Sequence, residues 1–125
     1  MERVALDTSA CIELFKGNPL IASFMQKSPS LKPCLPSVAF FELMLRTYRI
    51  EDVEAFASQA ELLSFDESAA RKSAEISKEL GSYSEIVGSR DIFIAATAIV
   101  NGCALVTFNT KHFSRIKGLK LVKIS

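Results

Sequence analysis

Three carboxylates carry the first chemical signal in this sequence. Asp7 follows the apolar run Val4-Ala5-Leu6, Glu42 lies inside an apolar helical segment, and Asp91 precedes Ile92-Phe93-Ile94-Ala95-Ala96. Acids brought within about 4 to 6 Å of one another repel and raise each other's pKa, so their convergence destabilises a fold that holds no cation between them. A hard divalent ion removes that conflict. Carboxylate oxygens and waters suit Mg²⁺ or Mn²⁺, which position a water, lower its pKa and neutralise charge growing on a phosphate. Each acid also has a purely structural alternative. Asp91 in the first turn of a helix gains about 0.3 to 1 kcal/mol from the helix dipole. Glu42 and Arg46, four apart on one helix, form an ion pair worth about 0.2 to 0.5 kcal/mol.

The elements that must position these acids follow from hydrophobic periodicity and from breakers. Arg3 to Leu6 reads as a strand ending at Asp7-Thr8-Ser9, whose hydroxyls can cap a helix from near Ala10 to Lys16-Gly17. Asn18-Pro19 opens a second helix, with Ile21, Phe24 and Met25 as its apolar stripe, and Ser28-Pro29-Ser30 stops it. Lys32 to Leu35 forms a second strand, and Pro36-Ser37 opens a helix from about Val38 to Tyr48 with Phe41, Leu45 and Tyr48 on one stripe. Ile50 to Gln59 is helical, Glu61 to Phe65 a short strand, and Asp66 to Leu80 a long amphipathic helix whose Glu67, Arg71 and Glu75 face solvent. Gly81 to Gly88 reads as a loop into the Asp91 helix, capped by Ser89 or Gly88 and ended by Asn101-Gly102. Ala104 to Thr107 is a buried strand, Asn109 to Phe113 a turn, and Lys120 to Ile124 a last strand.

Strands alternating with helices predict an α/β fold with a parallel sheet, whose ligand crevice lies outside the carboxyl ends of the strands. Asp7 ends the first strand and Thr107 to Asn109 ends the fourth, so both belong at that crevice. A chain of 125 residues, 49% hydrophobic and 23% charged, fits one globular domain spanning residues 1–125. No apolar run approaches a membrane span, and charge interrupts the N-terminus too early for a signal peptide, so the expected location is the cytoplasm. Cys11, Cys34 and Cys103 lack metal-site spacing and lie among apolar residues, which suits reduced, buried thiols.

The net charge of +1 conceals an asymmetry, because every Asp and Glu lies at or before Asp91 while Lys111, Arg115, Lys117, Lys120 and Lys123 follow it. That tail is either a phosphate-facing edge or an edge strand protected by lysines. His112, the one histidine, is either a hydrogen-bonded structural residue or a proton-transfer group. Cys103 enters a buried strand and makes a poor nucleophile for it. Phe40, Phe41, Met44 and Leu45 cannot all face inward, and those left outside form a groove for a partner or a second copy. A receiver-like phosphoacceptor site is disfavoured, since no adjacent acidic pair accompanies Asp7.

Leu6-Asp7-Thr8-Ser9, Glu42, Arg90-Asp91-Ile92-Phe93-Ile94-Ala95-Ala96-Thr97-Ala98 and Leu105-Val106-Thr107-Phe108-Asn109-Thr110-Lys111-His112-Phe113, in that order, closely resemble PIN-domain nucleases. Among these the chain looks like the toxin half of VapBC-type toxin–antitoxin pairs. The resemblance implies a three-layer α/β/α sandwich around a central, mainly parallel sheet of four to five strands. It implies a Mg²⁺- or Mn²⁺-dependent endoribonuclease that cuts single-stranded RNA regions, acts as a homodimer and is silenced by a small antitoxin. Carried over to these positions, Asp7, Glu42 and Asp91 hold the metal, and Thr8 or Ser9 and Thr107 orient ligands or water. Beside what the resemblance implies, His112 is read as a further supporting residue and Arg90, Lys111 and Arg115 as RNA-binding candidates. Many relatives place a fourth aspartate after the fourth strand, where this chain has Asn109 and His112. That departure leaves a second reading, a PIN-like RNA-binding or regulatory module with weak catalysis, and it predicts one metal ion rather than two.

Overall fold

The computed structural model describes residues 2–47 and 49–124. Five strands, β1 (Arg3–Leu6), β2 (Lys32–Pro36), β3 (Glu61–Leu63), β4 (Ala104–Val106) and β5 (Leu121–Val122), form one sheet in the order β3-β2-β1-β4-β5. All four pairings are parallel, with Ala5 of β1 opposite Cys34 on one side and Leu105 on the other. A central parallel strand is covered on both faces, which is why Val4, Ala5 and Leu6 are all buried and apolar.

Among the described residues the helices are α1 (Thr8–Phe15), α2 (Pro19–Lys27), α3 (Ser37–Met44), α4 (Ile50–Gln59), α5 (Glu67–Leu80), α6 (Tyr83–Val87), α7 (Ser89–Val100) and α8 (Thr110–Phe113). The chain steps from β1 through β2 to β3 in one direction, then crosses β1 to reach β4 and β5. Right-handed crossovers place helices of opposite stepping direction on opposite faces of the sheet, which gives the expected three layers. The strand order reverses between β1 and β4, so the crevice outside the carboxyl ends of those two strands is the topological switch point. Ile94, Ala95, Ala96 and Ala98 of α7 are fully buried, and with Leu105, Val106 and Phe113 they lock that edge of the crevice in place. Burial of each larger side chain among these, Ile94, Leu105, Val106 and Phe113, stabilises the fold by about 1.5 to 3 kcal/mol.

Several local expectations change. Helix α1 begins at Thr8 because Asp7, with extended backbone, is itself the N-cap and accepts a hydrogen bond from the Ala10 N–H. The hydroxyls of Thr8 and Ser9 are thereby released for other partners. Helix α3 ends at Met44, short of the expected Tyr48, which lies outside the described residues. Phe41 and Leu45 are 50% and 58% exposed, so their stripe faces solvent rather than the core. The segment 81–88 contains the short helix α6, and 110–113 is one helical turn, α8. Strand β3 stops at Leu63, and β5 covers only Leu121–Val122. Gly88 at φ 90° is the N-cap of α7, a conformation that a side-chain-bearing residue adopts only with strain, and no side chain caps this helix. The three thiols are free and buried, and burial pushes the Cys34 thiol up to about 12. Among the described residues no helix is long and apolar enough to cross a membrane.

Candidate active site

Asp7 is a buried carboxylate held by three hydrogen bonds. Its side chain is 3% exposed at the end of β1, and both carboxylate oxygens are held. Oδ1 accepts from the Ser9 hydroxyl and the Ala10 N–H, each at 2.8 Å, and Oδ2 accepts from the Thr107 hydroxyl at 2.5 Å. Thr107 follows β4 directly, so the two strands at the switch point are tied together through this carboxylate. The Thr107 oxygen in turn accepts from the Asn109 N–H at 2.9 Å, which fixes the turn that carries Asn109. Ser9 adds a second tie, since its oxygen also accepts from the Phe108 N–H at 3.0 Å. Burial raises the Asp7 pKa above the usual carboxylate value, the three hydrogen bonds oppose that rise, and the nearby Asp91 charge reinforces it.

Asp91 lies in the first turn of α7, where the helix dipole favours its charge. Burial raises its pKa too, and Glu42 adds to the rise while His112 counters it. His112 Nδ1 is 3.3 Å from Asp91 Oδ2 and 2.9 Å from the Asn109 side-chain nitrogen. An Nδ1 that carries a proton donates to Asp91, and an Nδ1 lone pair accepts from Asn109. The tautomer therefore decides which of the two is bound. Glu42, on α3, accepts from the Thr8 hydroxyl at 2.6 Å and pairs with Arg90 at 3.6 Å. The alternative Glu42–Arg46 pair does not form among the described residues. Glu42 is committed to the crevice through α1 and α7 instead.

Asp7, Glu42, Asp91, Asn109, Thr8, Ser9, Thr107 and His112 are thus joined in one hydrogen-bonded and electrostatic network. Arg90 adjoins it, whereas Lys111 and Arg115 are exposed on and just after α8. The basic tail is not one continuous edge. Lys120 precedes β5 and lines a separate cavity of about 700 Å³ at the amino ends of the strands, with Arg3, Lys27 and Asn101. That cavity is larger than the cleft of about 420 Å³ between Glu42, Val87 and Asp91, but it lies at the opposite end of the sheet from the carboxylates. Chemistry, rather than size, marks the smaller cleft as the site.

The donor set can be tested for a metal ion. Among the described residues no three His, Cys, Asp or Glu side chains close into a ready-made cage. Magnesium-like ions need no such cage, because they keep several waters and take one or two carboxylates directly. Burial raises the pKa of both Asp7 and Asp91, the charge of Asp91 reaches Asp7 and that of Glu42 reaches Asp91, and all three present hard oxygen donors, so the residues fit such an ion.

Residues 4–119 match the PIN domain family. The chain belongs to the PIN-domain family, and within it to the VapC ribonucleases. It is 31% identical over 127 residues to the tRNA(fMet)-specific endonuclease VapC of Shigella flexneri, with 96% of each chain covered. It is 30% identical over 129 residues to Ribonuclease VapC2 of Haemophilus influenzae, again with 96% of each covered. The DNA-bound VapBC structure from Salmonella typhimurium superposes with a TM-score of 0.84 at 28% identity, covering 100% of both chains. In this PIN domain the sequence indicated which side chains share the crevice, but not two stacked pairs beside it. Arg90 lies over the Phe41 ring at 5.2 Å and Arg115 over the Tyr83 ring at 3.9 Å. The only available signal was that Phe41 neighbours Glu42 and that Tyr83 is the one large ring in a segment of small residues.

Proposed function

We propose that this PIN-domain chain is a metal-dependent endoribonuclease that hydrolyses phosphodiester bonds in single-stranded RNA regions, as the toxin of a toxin–antitoxin pair. The observation that carries the reading is Asp7: a carboxylate 3% exposed, fixed by three hydrogen bonds at the topological switch point, and facing a second acid, Asp91. A fold that places two acids with raised pKa in one crevice loses stability there, and a divalent cation offsets the loss.

Asp7 and Asp91 would hold Mg²⁺ or Mn²⁺, with Glu42 reaching the ion directly or through a water. When bound, such an ion supplies Lewis acidity at the phosphate and an acidified water. Thr107, Ser9 and the Ala10 N–H aim the Asp7 oxygens, and Thr8 aims Glu42. His112 orients Asp91 and Asn109, whose amide adds a polar contact without charge. Arg90, Lys111 and Arg115 meet the RNA phosphates. The VapBC neighbours support a small antitoxin as partner, and the exposed Met44 and Leu45 support a homodimer or antitoxin surface. A cytoplasmic location accords with the reduced thiols.

The test is incubation of the full chain with a single-stranded RNA and with its duplex, in Mg²⁺, Mn²⁺ or EDTA. Internal cleavage of the single strand that needs the ion supports the reading. Tight binding without cleavage in either metal favours the weakly catalytic RNA-binding module suggested by Asn109.

A further inference from the structure

We propose that the two arginine-on-aromatic pairs beside the crevice, Arg90 with Phe41 and Arg115 with Tyr83, are base-stacking platforms for the unpaired nucleotides on either side of the scissile phosphate. The proposal rests on the ribonuclease reading and names the substrate contacts of that same site.

One pair adjoins the acids through Glu42, and the other stands on the helices packed beside them. Phe41 precedes Glu42 on α3, and Arg90 bridges from the Phe41 ring to Glu42 while standing next to Asp91. On the other flank α6 packs against both α7 and α8. Its last residue, Val87, lines the same cleft as Glu42 and Asp91, and Tyr83 stands four residues earlier, about 6 Å along the helix axis. Arg115 follows α8 by two residues, and α8 carries the His112 that touches Asp91.

Both rings are held outside the core, Phe41 at 50% and Tyr83 at 42% exposure. Each has a guanidinium over its face, at 5.2 Å for Arg90 on Phe41 and 3.9 Å for Arg115 on Tyr83. Arg115 is positioned by a ring alone, since no salt bridge reaches it among the described residues, so its charge is left for an anion. A planar guanidinium laid on a ring offers a flat face to a base and N–H groups to a phosphate, the combination that binds single-stranded nucleic acid without reading its sequence. Bases inside a duplex have no free face for such a surface, so the platforms select unpaired RNA.

The experiment measures binding of a fluorescent single-stranded RNA to the full chain in EDTA, beside a strand of equal length and charge whose nucleotides lack bases. Tyr83→Leu and Phe41→Leu keep apolar bulk on exposed helical positions and remove the ring, while Tyr83→Phe keeps it. Each leucine variant should weaken binding of the intact strand by about 5- to 150-fold, the range for one lost base stack, beyond any loss on the base-free strand that follows from displacing the guanidinium from its phosphate. Tyr83→Phe should bind as the wild type does. Equal losses on both strands, or no loss on either, overturn the proposal. Unchanged RNA binding with lost antitoxin capture also overturns it and assigns the rings to a protein interface. If the wild type cleaves RNA while the leucine variants bind it normally, only the stacking falls. A wild type that neither binds nor cleaves RNA removes the ribonuclease reading and this proposal together.

Discussion

Replacing Thr107 with valine exchanges one hydroxyl for a methyl group of similar shape at a position 1% exposed. Three contacts disappear with the oxygen, the weakest being the 3.3 Å hydroxyl–hydroxyl contact with Ser9. Asp7 loses the 2.5 Å hydrogen bond to Oδ2, and the Asn109 N–H loses its acceptor at 2.9 Å. A hydrogen bond to a charged group contributes about 1.5 to 3 kcal/mol, and a buried donor left without a partner costs about 1 to 3 kcal/mol. Asp7 keeps its other two donors, so the combined loss should fall near 2 to 4 kcal/mol rather than at the sum of the extremes. Thr107→Ser is the control: it keeps the oxygen and deletes one methyl, costing about 1 kcal/mol. Thermal unfolding followed by circular dichroism should show the valine variant melting well below the serine variant, by about 3 to 6 °C for each kcal/mol of difference. Cleavage should fall about 10- to 100-fold in the valine variant, as happens when a side chain that aims a metal ligand is lost. Equal melting temperatures and equal cleavage rates for the two variants would refute the role given to the Thr107 hydroxyl.

Other predictions use the same geometry. Asp7→Asn should show a flatter dependence of melting temperature on pH than the wild type in EDTA. Because burial raises the folded-state pKa of Asp7, the folded protein binds more protons than the unfolded chain above the ordinary pKa of 3.8. The contribution of Asp7 to stability therefore falls as pH rises from there through the raised value, and the amide abolishes that contribution; an unchanged pH dependence in Asp7→Asn would contradict the cause assigned to the shift. Asn109→Asp adds a fourth formal negative beside His112 and should tighten Mn²⁺ binding in calorimetric titration. No gain in affinity would mean that residue 109 serves only His112. Replacing Lys111 and Arg115 together with Gln should flatten the salt dependence of RNA binding by about 0.7 per lost phosphate contact, and an unchanged slope would place the backbone elsewhere.

The parallel sheet and the convergence of Asp7 with Thr107 and Asn109 were legible because both rest on local patterns: apolar runs, breakers and strand ends. Asp91 was placed correctly for the same reason, as an acid opening a buried helix. What escaped depended on contacts between segments far apart in the chain. The choice of Arg90 over Arg46 as the partner of Glu42 comes from α3 meeting α7, which no i, i+4 spacing encodes. Helix α6 was hidden by Gly81, Ser82 and Ser84, residues that favour turns locally, whereas packing against α5, α7 and α8 decides the outcome. The Thr8 and Ser9 hydroxyls read as helix caps until Asp7 took that place and freed them for Glu42 and Thr107.

The central claim is that Asp7 and Asp91 act together to hold an ion that cleaves RNA. Its most direct test is Mn²⁺ titration and single-stranded RNA cleavage measured side by side for the wild type, Asp7→Asn and Asp91→Asn, each verified as folded. The wild type should bind Mn²⁺ and cleave only in its presence, and both variants should lose cleavage and bind the ion markedly more weakly. Metal-dependent cleavage at the wild-type rate by either variant would contradict the account.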